Sequence, residues 1–149
     1  MQLQAAYPLI VTDRLAEARD FYVERLGMEV AFEVDWVVFL SAPAGEGQTG
    51  VCFMAPGLDH QLPEHREPYR GNSVILTFQV EDAPRELEAL RAKGIEPDVD
   101  IKDEPWGQRH FMMRDPAGVW VDVVQQIEPD PAFFDAEAKA RLAAIAESD

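Results

Sequence analysis

Two stretches of the chain repeat one order of apolar and polar positions. Each begins with a short apolar run of strand character, reaches an aspartate, continues with apolar residues at helical spacing and stops at a glycine. The aspartates are Asp13 and Asp82, and the glycines that end the helical patterns are Gly27 and Gly94. Glycine is common just after a helix, because it adopts the left-handed conformation without strain. The pattern therefore predicts one strand and one helix in each half.

Short apolar runs follow both helical patterns and predict three more strands in each half. In chain order these runs cover residues 29–32, 36–40 and 51–54, and then 96–101, 109–113 and 119–125. The sequence thus predicts an α+β fold of two βαβββ modules, which pair into a cupped antiparallel sheet with the helices outside. We expect a single domain over residues 1–149, divided into module one at about 5–55, a linker at 56–72, module two at about 73–128 and a C-terminal helix at about 131–147.

A hairpin is predicted within residues 103–125, and it singles out one carboxylate. Residues 115–118, Asp-Pro-Ala-Gly, have turn chemistry, because proline fixes φ after the aspartate and glycine tolerates positive φ. Alternating valines follow the turn, as in a strand. Asp122 lies in the middle of this apolar strand, where an unpaired carboxylate is costly to bury. We therefore expect Asp122 to face a cavity or a polar partner.

This hairpin resembles the final hairpin of the vicinal oxygen chelate superfamily, which includes glyoxalase I, extradiol dioxygenases and bleomycin-resistance proteins. The likeness to the bleomycin-resistance branch is carried by Pro105-Trp106-Gly107, Arg109, Phe111 and Arg114-Asp115-Pro116-Ala117-Gly118. The N-terminal pattern agrees, because the family's first strand and helix are similar to Tyr7–Asp13, Phe21-Tyr22 and Leu26-Gly27. The resemblance covers roughly residues 5–128. It implies the same two-module fold, with the ligand site inside the cup.

The resemblance also implies where a metal would be held. Enzymes of this superfamily usually bind one divalent metal through histidines on the first strand of each half and glutamates on the last strands. Here the histidine positions fall on Ala6 and Ile75, and the neighbours Ala5 and Tyr7 are no better as ligands. Only Asp122 brings a carboxylate to a ligand position, whereas a divalent site needs three or more protein donors. We therefore expect no metal and no cofactor.

The chain is strongly acidic. Its 149 residues include 28 acidic and 13 basic side chains, which gives a formal net charge of −15. This charge disfavours nucleic acid and anionic membrane surfaces as partners, and no apolar run is long enough to cross a membrane. The acidity either aids solubility or attracts a cationic ligand. The N-terminus lacks a signal-peptide pattern and Cys52 is the single cysteine, so we expect a cytoplasmic protein without an internal disulfide.

Aromatic and soft side chains on or beside the predicted strands are candidates for ligand binding. Trp106 lies in a loop between a proline and a glycine, where a ring can act as a lid or a stacking platform. Trp36, at the start of a strand, is the second choice, and Phe39 lies further along the same strand. Cys52 and Met54 fit an adaptable apolar pocket, and we expect burial to make Cys52 a poor nucleophile. Each of these residues also fits an ordinary place in the core.

Three polar residues of the second half complete the candidate ligand-binding set: Arg109, His110 and Asp122. Neighbouring strand residues point to opposite faces, so at most one of Arg109 and His110 lines the cup. His110 contacts a ligand, pairs with Asp122 across the sheet, or serves structure alone. Arg114, just before the turn, is expected to hydrogen-bond that turn.

The favoured hypothesis is a metal-free protein that binds a small molecule, as bleomycin-resistance proteins do. In that branch a cleft shared by two subunits sequesters a cationic, aromatic drug, so the resemblance implies a homodimer and a small-molecule ligand. The alternative is a metal-dependent lyase, isomerase or dioxygenase of the same superfamily, with a divergent site around Asp122. Whether the chain is an enzyme stays open. A third hypothesis is an interaction module that acts through the acidic C-terminal helix.

Overall fold

The computed structural model describes residues 1–2, 7–43, 49–71, 73–133 and 135–148, which form two compact units. The first unit contains the described residues of Met1–Val74 together with Arg114–Trp120. The second contains those of Ile75–Met113 and Val121–Asp149. The units follow the two predicted modules, except that the predicted turn of the second module belongs to the first unit. The α+β class is confirmed, whereas the single domain stays a prediction.

The first unit has one helix and a four-stranded sheet in the order β1-β4-β3-β2. The bounds are β1 Leu9–Val11, α1 Leu15–Leu26, β2 Glu29–Val34, β3 Val37–Ser41 and β4 Gly50–Met54. Strands β2, β3 and β4 pair antiparallel as predicted, but β1 runs parallel to β4. Parallel neighbours need a crossover, and here the helix and two strands between β1 and β4 provide it. The sheet is therefore mixed rather than wholly antiparallel.

Helix α1 packs on one face of this sheet through an aromatic contact. The ring centroids of Tyr22 and Phe53 lie 5.2 Å apart, and both side chains are buried. The helix ends where the sequence predicts, at Gly27, which has a left-handed φ of 67°. Because strand residues alternate between faces, Cys52 and Met54 lie on the face of β4 that is turned away from α1.

The predicted linker is a folded part of the first unit. Gln61 is buried, and its side-chain amide donates to the carbonyl of Ala55 at 2.9 Å. Arg66 donates from Nε to the carbonyl of Gln61 at 3.2 Å. Further along, the amide of Tyr69 donates to the carbonyl of Val11 in β1 at 2.7 Å. These bonds satisfy backbone groups that a loose linker would leave to water.

The second unit has a sheet in the order β5-β8-β7-β6 and two helices. The bounds are β5 Ile75–Gln79, α2 Ala83–Ala92, β6 Val99–Glu104, β7 Gln108–Arg114, β8 Trp120–Gln126 and α3 Ala136–Ser148. Asp82 caps α2, because its side chain accepts a hydrogen bond from the Arg85 amide at 3.0 Å. The side chain of Gln125 accepts from the Ala83 amide at 3.1 Å, so α2 lies on the Gln125 face of the sheet.

The segment between β8 and α3 is tied to the turn between β6 and β7. The amide of Ile127 donates to the carbonyl of Gly107 at 2.9 Å, and the amide of Asp130 donates to that of Pro105 at 2.8 Å. Helix α3 then begins later than the predicted residue 131. Among the described residues, no helix has the length and apolar character that crossing a membrane requires.

Candidate functional site

A polar cluster lies on one face of the second sheet and is centred on His110. Nδ1 of His110 lies 2.7 Å from Oδ1 of Asp122, and Nε2 lies 3.1 Å from Oε1 of Glu104. The side chains of His110, Asp122 and Glu104 are only 10%, 14% and 13% exposed. We term these three residues the His110 cluster. Polar groups are costly to bury without partners, so each member makes the burial of the others tolerable.

Strand alternation explains why these side chains meet. Gln125 faces α2, so Asp122, three residues earlier on β8, faces the opposite side of the sheet. The contact with Asp122 places His110 of β7 on that same side. Antiparallel pairing of β6 with β7 then brings Glu104 to this side as well. The contact with Asp122 is one of the alternatives that the sequence left open for His110.

The geometry restricts the proton chemistry of His110. A neutral imidazole has one N–H donor and one acceptor nitrogen, whereas both ring nitrogens here face carboxylate oxygens. Both ring nitrogens therefore lie against carboxylate oxygens, and neither is open toward a substrate as a general base.

The two carboxylates of the cluster differ in their surroundings. Nζ of Lys102 lies 2.5 Å from Oε1 of Glu104. Hydrogen bonds from Lys102 and then from His110 hold the pKa of Glu104 below its ordinary value. Within the described part of the chain, His110 engages one of the two oxygens of Asp122. A carboxylate has roughly four lone-pair positions, so Asp122 retains acceptor capacity for a ligand.

Three predicted ligand-binding residues share one face of the first sheet. The register pairs Phe39 with Cys52 and Val37 with Met54, so all four side chains lie on the side turned away from α1. Burial raises the pKa of the Cys52 thiol, as the sequence predicts. This face is therefore lined by hydrocarbon and sulfur, and Cys52 is a poor nucleophile.

The two candidate tryptophans lie in turns, each with its own local partners. Trp36 lies between β2 and β3, with its ring 4.8 Å from that of His60. Trp106 lies between β6 and β7, where Nε1 donates to Gln108 at 2.7 Å and the indole lies 5.9 Å from Phe133. The tryptophans belong to different units, and the structure does not group either of them with the His110 cluster. Their role in ligand binding stays a prediction.

Arg109 faces away from the His110 cluster. Its guanidinium holds Asp103 in a two-bond contact, with Nε to Oδ1 at 2.6 Å and Nη2 to Oδ2 at 2.8 Å. This pairing raises the pKa of Arg109 and lowers that of Asp103. The expectation that Arg109 and His110 occupy opposite faces is confirmed. Arg114 donates to the carbonyl of Gly118 at 3.2 Å, which also matches its predicted role in the turn.

The donor set on the Asp122 face does not fit a divalent metal. Gln79 of β5 accepts a hydrogen bond at 3.2 Å from Gln126, which shares the Asp122 face of β8. Alternation along β5 places Ile75 on this face too, and its side chain is hydrocarbon. Ala6, the other position where the resemblance implies a metal-binding histidine, lies outside the described residues. In the ranges that are described, no group of three or more His, Cys, Asp or Glu side chains could hold a metal ion, and in the His110 cluster both ring nitrogens already face carboxylate oxygens.

Residues 4–123 match the family model described as the Glyoxalase/Bleomycin resistance protein/Dioxygenase superfamily. The chain belongs to this superfamily. The match includes all three members of the His110 cluster and ends one residue after Asp122. The predicted superfamily is confirmed, while the bleomycin-resistance branch stays a prediction. No curated protein matches the sequence.

Solved structures of this superfamily share the fold. A glyoxalase/bleomycin resistance protein/dioxygenase from Nocardioides superposes with a TM-score of 0.67 at 21% identity, covering 86% of each chain. A superfamily member from Sphaerobacter thermophilus gives 0.66 at 23% identity, covering 85% of this chain and 99% of the other. A lactoylglutathione lyase from Agrobacterium tumefaciens gives 0.61 at 21% identity, covering 84% and 96%. Identities this low establish the fold and leave the substrate open.

Glu104 is the member of the cluster that the sequence did not single out. The predicted strand covered residues 96–101 and left Glu104 in a loop, whereas β6 runs from Val99 to Glu104. The available signal was the alternation of Val99 and Ile101 with Asp100 and Lys102, which is typical of a strand with one polar face, but Asp103 interrupts it before Glu104.

Proposed function

We propose that this protein binds a small molecule against the His110 cluster without a divalent metal. The observation that carries the proposal is the shielded contact between His110 and Asp122, in which one carboxylate oxygen is held at 2.7 Å from Nδ1. A carboxylate oriented in this way is ready to accept a hydrogen bond from a ligand, because its position is set before binding. The described side chains on the Asp122 face do not form a set of ligands for a divalent metal, which supports direct contact between the small molecule and the protein.

The ligand class follows from charge. Asp122 is an acceptor, and the chain carries a net charge of −15, so a ligand with an ammonium or another N–H donor is favoured over an anion. We also propose that the ligand carries an aromatic portion, as the resemblance to bleomycin-resistance proteins implies. We further propose that the protein acts as a cytoplasmic homodimer, as its resemblance to bleomycin-resistance proteins implies.

Sequestration is favoured over catalysis because both nitrogens of His110 face carboxylates. Neither nitrogen is presented to a substrate as a general base, and burial raises the pKa of Cys52, the other candidate for covalent chemistry. The cluster therefore recognises and orients a ligand, and no step that transfers a proton is assigned to it.

The test is a titration of the wild-type protein with matched cationic and neutral aromatic compounds, including cationic glycopeptide drugs, followed by calorimetry. We expect saturable binding of a cationic compound, and a loss of about tenfold or more in affinity in Asp122→Asn, because a charge-assisted hydrogen bond is lost. Asp103→Asn is the matched control, since it removes the same charge from the opposite face of β6. Equal losses in both variants, or no binding of any cation, would contradict the proposal.

A separate experiment, thermal unfolding in the presence of metal ions, tests the metal-dependent alternative. Asp122 occupies a ligand position of the superfamily, so Mn, Fe, Ni and Zn ions are added to wild type and to Asp122→Ala while thermal unfolding is followed. A bound metal stabilises the folded state by mass action. One metal per chain, with a stabilisation that Asp122→Ala abolishes, would replace our proposal with a lyase, isomerase or dioxygenase. No shift in either protein is the result that we expect.

A further inference from the structure

A shallow cleft in the first unit gathers arginines in an otherwise acidic protein. It has a volume of about 360 Å³, and its walls include Arg14, Arg70 and Arg114. These residues come from three distant segments: the start of α1, the end of the linker and the turn at 114–118. We term it the arginine cleft. All residues that line it belong to the first unit, whereas the His110 cluster belongs to the second.

Two of the arginines are oriented by the turn. Nη1 of Arg14 donates to the carbonyl of Pro116 at 3.3 Å, and Nη1 of Arg114 donates to that of Gly118 at 3.2 Å. A guanidinium carries five N–H donors, so the bond to Pro116 orients Arg14 without using up its donors. Arg114 also lies over the ring of Trp120, with Cζ 4.3 Å from the ring centroid.

The carboxylates that contact Arg14 and Arg70 hold them weakly. Among the described residues that line the cleft, Asp13 is the acidic one, and its Oδ2 lies 3.6 Å from Nη2 of Arg70. Outside the lining, Glu17 lies 3.5 Å from Nε of Arg14. Both contacts are long and exposed, so they hold the arginines weakly and yield to a better partner.

The turn at 114–118, which forms one wall of the arginine cleft, is held in place by hydrogen bonds to Asp115. The carboxyl group of Asp115 is buried, and it accepts hydrogen bonds from the Tyr22 hydroxyl at 2.8 Å and from the Val119 amide at 2.9 Å. These bonds fasten the turn to α1 and so set the positions of the Pro116 and Gly118 carbonyls, which accept from Arg14 and Arg114. Preorganised donors lose less conformational freedom when a ligand binds.

We propose that the arginine cleft binds a small oxyanion, a phosphate or a carboxylate group, through the guanidinium groups of Arg14 and Arg70. Planar guanidinium forks match both groups in two-bond contacts, and an anion would otherwise find little attraction on a chain with a net charge of −15. The cleft is a second binding site and does not depend on the His110 cluster.

The experiment titrates ¹⁵N-labelled wild-type protein with inorganic phosphate in one arm and with acetate in the other, with sodium chloride keeping the ionic strength constant. We expect saturable amide shifts confined to residues 13–14, 69–71, 114–115 and 117–118, with a Kd on the order of 1 mM. A response to phosphate alone assigns a phosphorylated ligand, and a response to acetate alone assigns a carboxylate. A response to both assigns a general oxyanion site.

Variants separate the cleft from the overall charge of the chain. Arg14→Gln and Arg70→Gln should each weaken binding about tenfold, because each removes a charge-assisted contact. Arg85→Gln is the matched control, since it removes the same charge from exposed α2. Circular dichroism checks that each variant is folded. Shifts without saturation, or equal weakening in all three variants, would overturn the proposal.

Discussion

Individual buried polar residues in this protein are stabilised by a specific partner. Tyr22 is fully buried, and its hydroxyl donates to Oδ2 of Asp115 at 2.8 Å. Burial, with the neighbouring carboxylate, raises the pKa of Tyr22 far above its ordinary range. Burial also raises the pKa of Asp115, although hydrogen bonds from Tyr22 and from turn amides oppose that rise. The pair therefore links α1 to the turn at 114–118.

Removing this donor should be costly. In Tyr22→Phe, the carboxyl group of Asp115 stays buried but keeps only backbone donors, so we expect the free energy of unfolding to fall by about 1–3 kcal/mol. Urea denaturation measures the change. Tyr7→Phe removes the hydroxyl of a tyrosine that is 51% exposed, and it should change stability by less than about 0.5 kcal/mol. Equal effects of the two variants would contradict the stabilising role of the Tyr22–Asp115 bond.

Glu104 provides a prediction about pH. Lys102 is the largest cause of its lowered pKa and His110 is the second. A carboxyl whose folded pKa is depressed stabilises the fold above its unfolded pKa, and this contribution is lost as pH falls through the folded pKa. Lys102→Met should therefore move the titration midpoint of Glu104 up toward 4.5, as followed by carboxyl ¹³C NMR. Lys93→Met removes the same charge elsewhere, and it should leave that midpoint in place.

At the scale of elements, turns make specific hydrogen bonds to distant parts of the chain. The turn between β6 and β7 accepts hydrogen bonds from the segment after β8, and Gly107 is the last residue of this turn. Gly107 has a φ of 100°, and a Cβ placed there would lie 2.8 Å from the carbonyl oxygen of Ile127. The close approach of two backbones thus requires glycine at this position.

Gly107→Ala should destabilise the protein for two reasons, the positive φ and the backbone clash. Gly57→Ala is the matched control. Gly57 also has a positive φ, of 73°, but a methyl group added there would have no other heavy atom within 4 Å. We expect Gly57→Ala to cost about 1 kcal/mol and Gly107→Ala to cost clearly more, as measured by urea denaturation. If both substitutions had the same cost, the approach of residues 127–129 would not matter for stability.

At the scale of the whole molecule, the dominant feature is the net charge of −15. Like charges repel more strongly in the compact state than in the unfolded chain, so this charge opposes folding at low ionic strength. Local ion pairs such as those of Arg19, with Asp20 at 2.8 Å and Glu33 at 2.6 Å, offset part of that repulsion.

Screening should therefore stabilise this protein. Raising sodium chloride from about 0.01 M to about 0.15 M shortens the Debye length from about 30 Å to about 8 Å, so we expect the Tm to rise. A neutral osmolyte at matched osmolality separates screening from solvent exclusion. A Tm that falls on addition of salt would mean that ion pairs outweigh the repulsion.

The periodicity of apolar and polar positions predicts much of the fold without reference to any tertiary contact. Helix α1 ends at Gly27, and the capping residue Asp82 precedes α2, because local turn and cap chemistry set both boundaries. Strand β6 was less predictable, because its exposed face is charged and its apolar positions are few. Its end at Glu104 therefore became visible only through pairing with β7.

The sequence by itself determined the elements, their order and the superfamily, because these follow from local periodicity, turn residues and motif spacing. It also predicted that Asp122 faces a cavity or a polar partner, since a carboxylate in an apolar strand is too costly to bury alone. Only the tertiary structure decided that this partner is His110, that Glu104 completes the cluster and that Arg109 points away. Likewise, Arg14, Arg70 and Arg114 share a cleft only after folding. The physical reason is that strand register and loop packing, which join residues far apart in the chain, depend on the energy of the whole unit rather than on any local pattern.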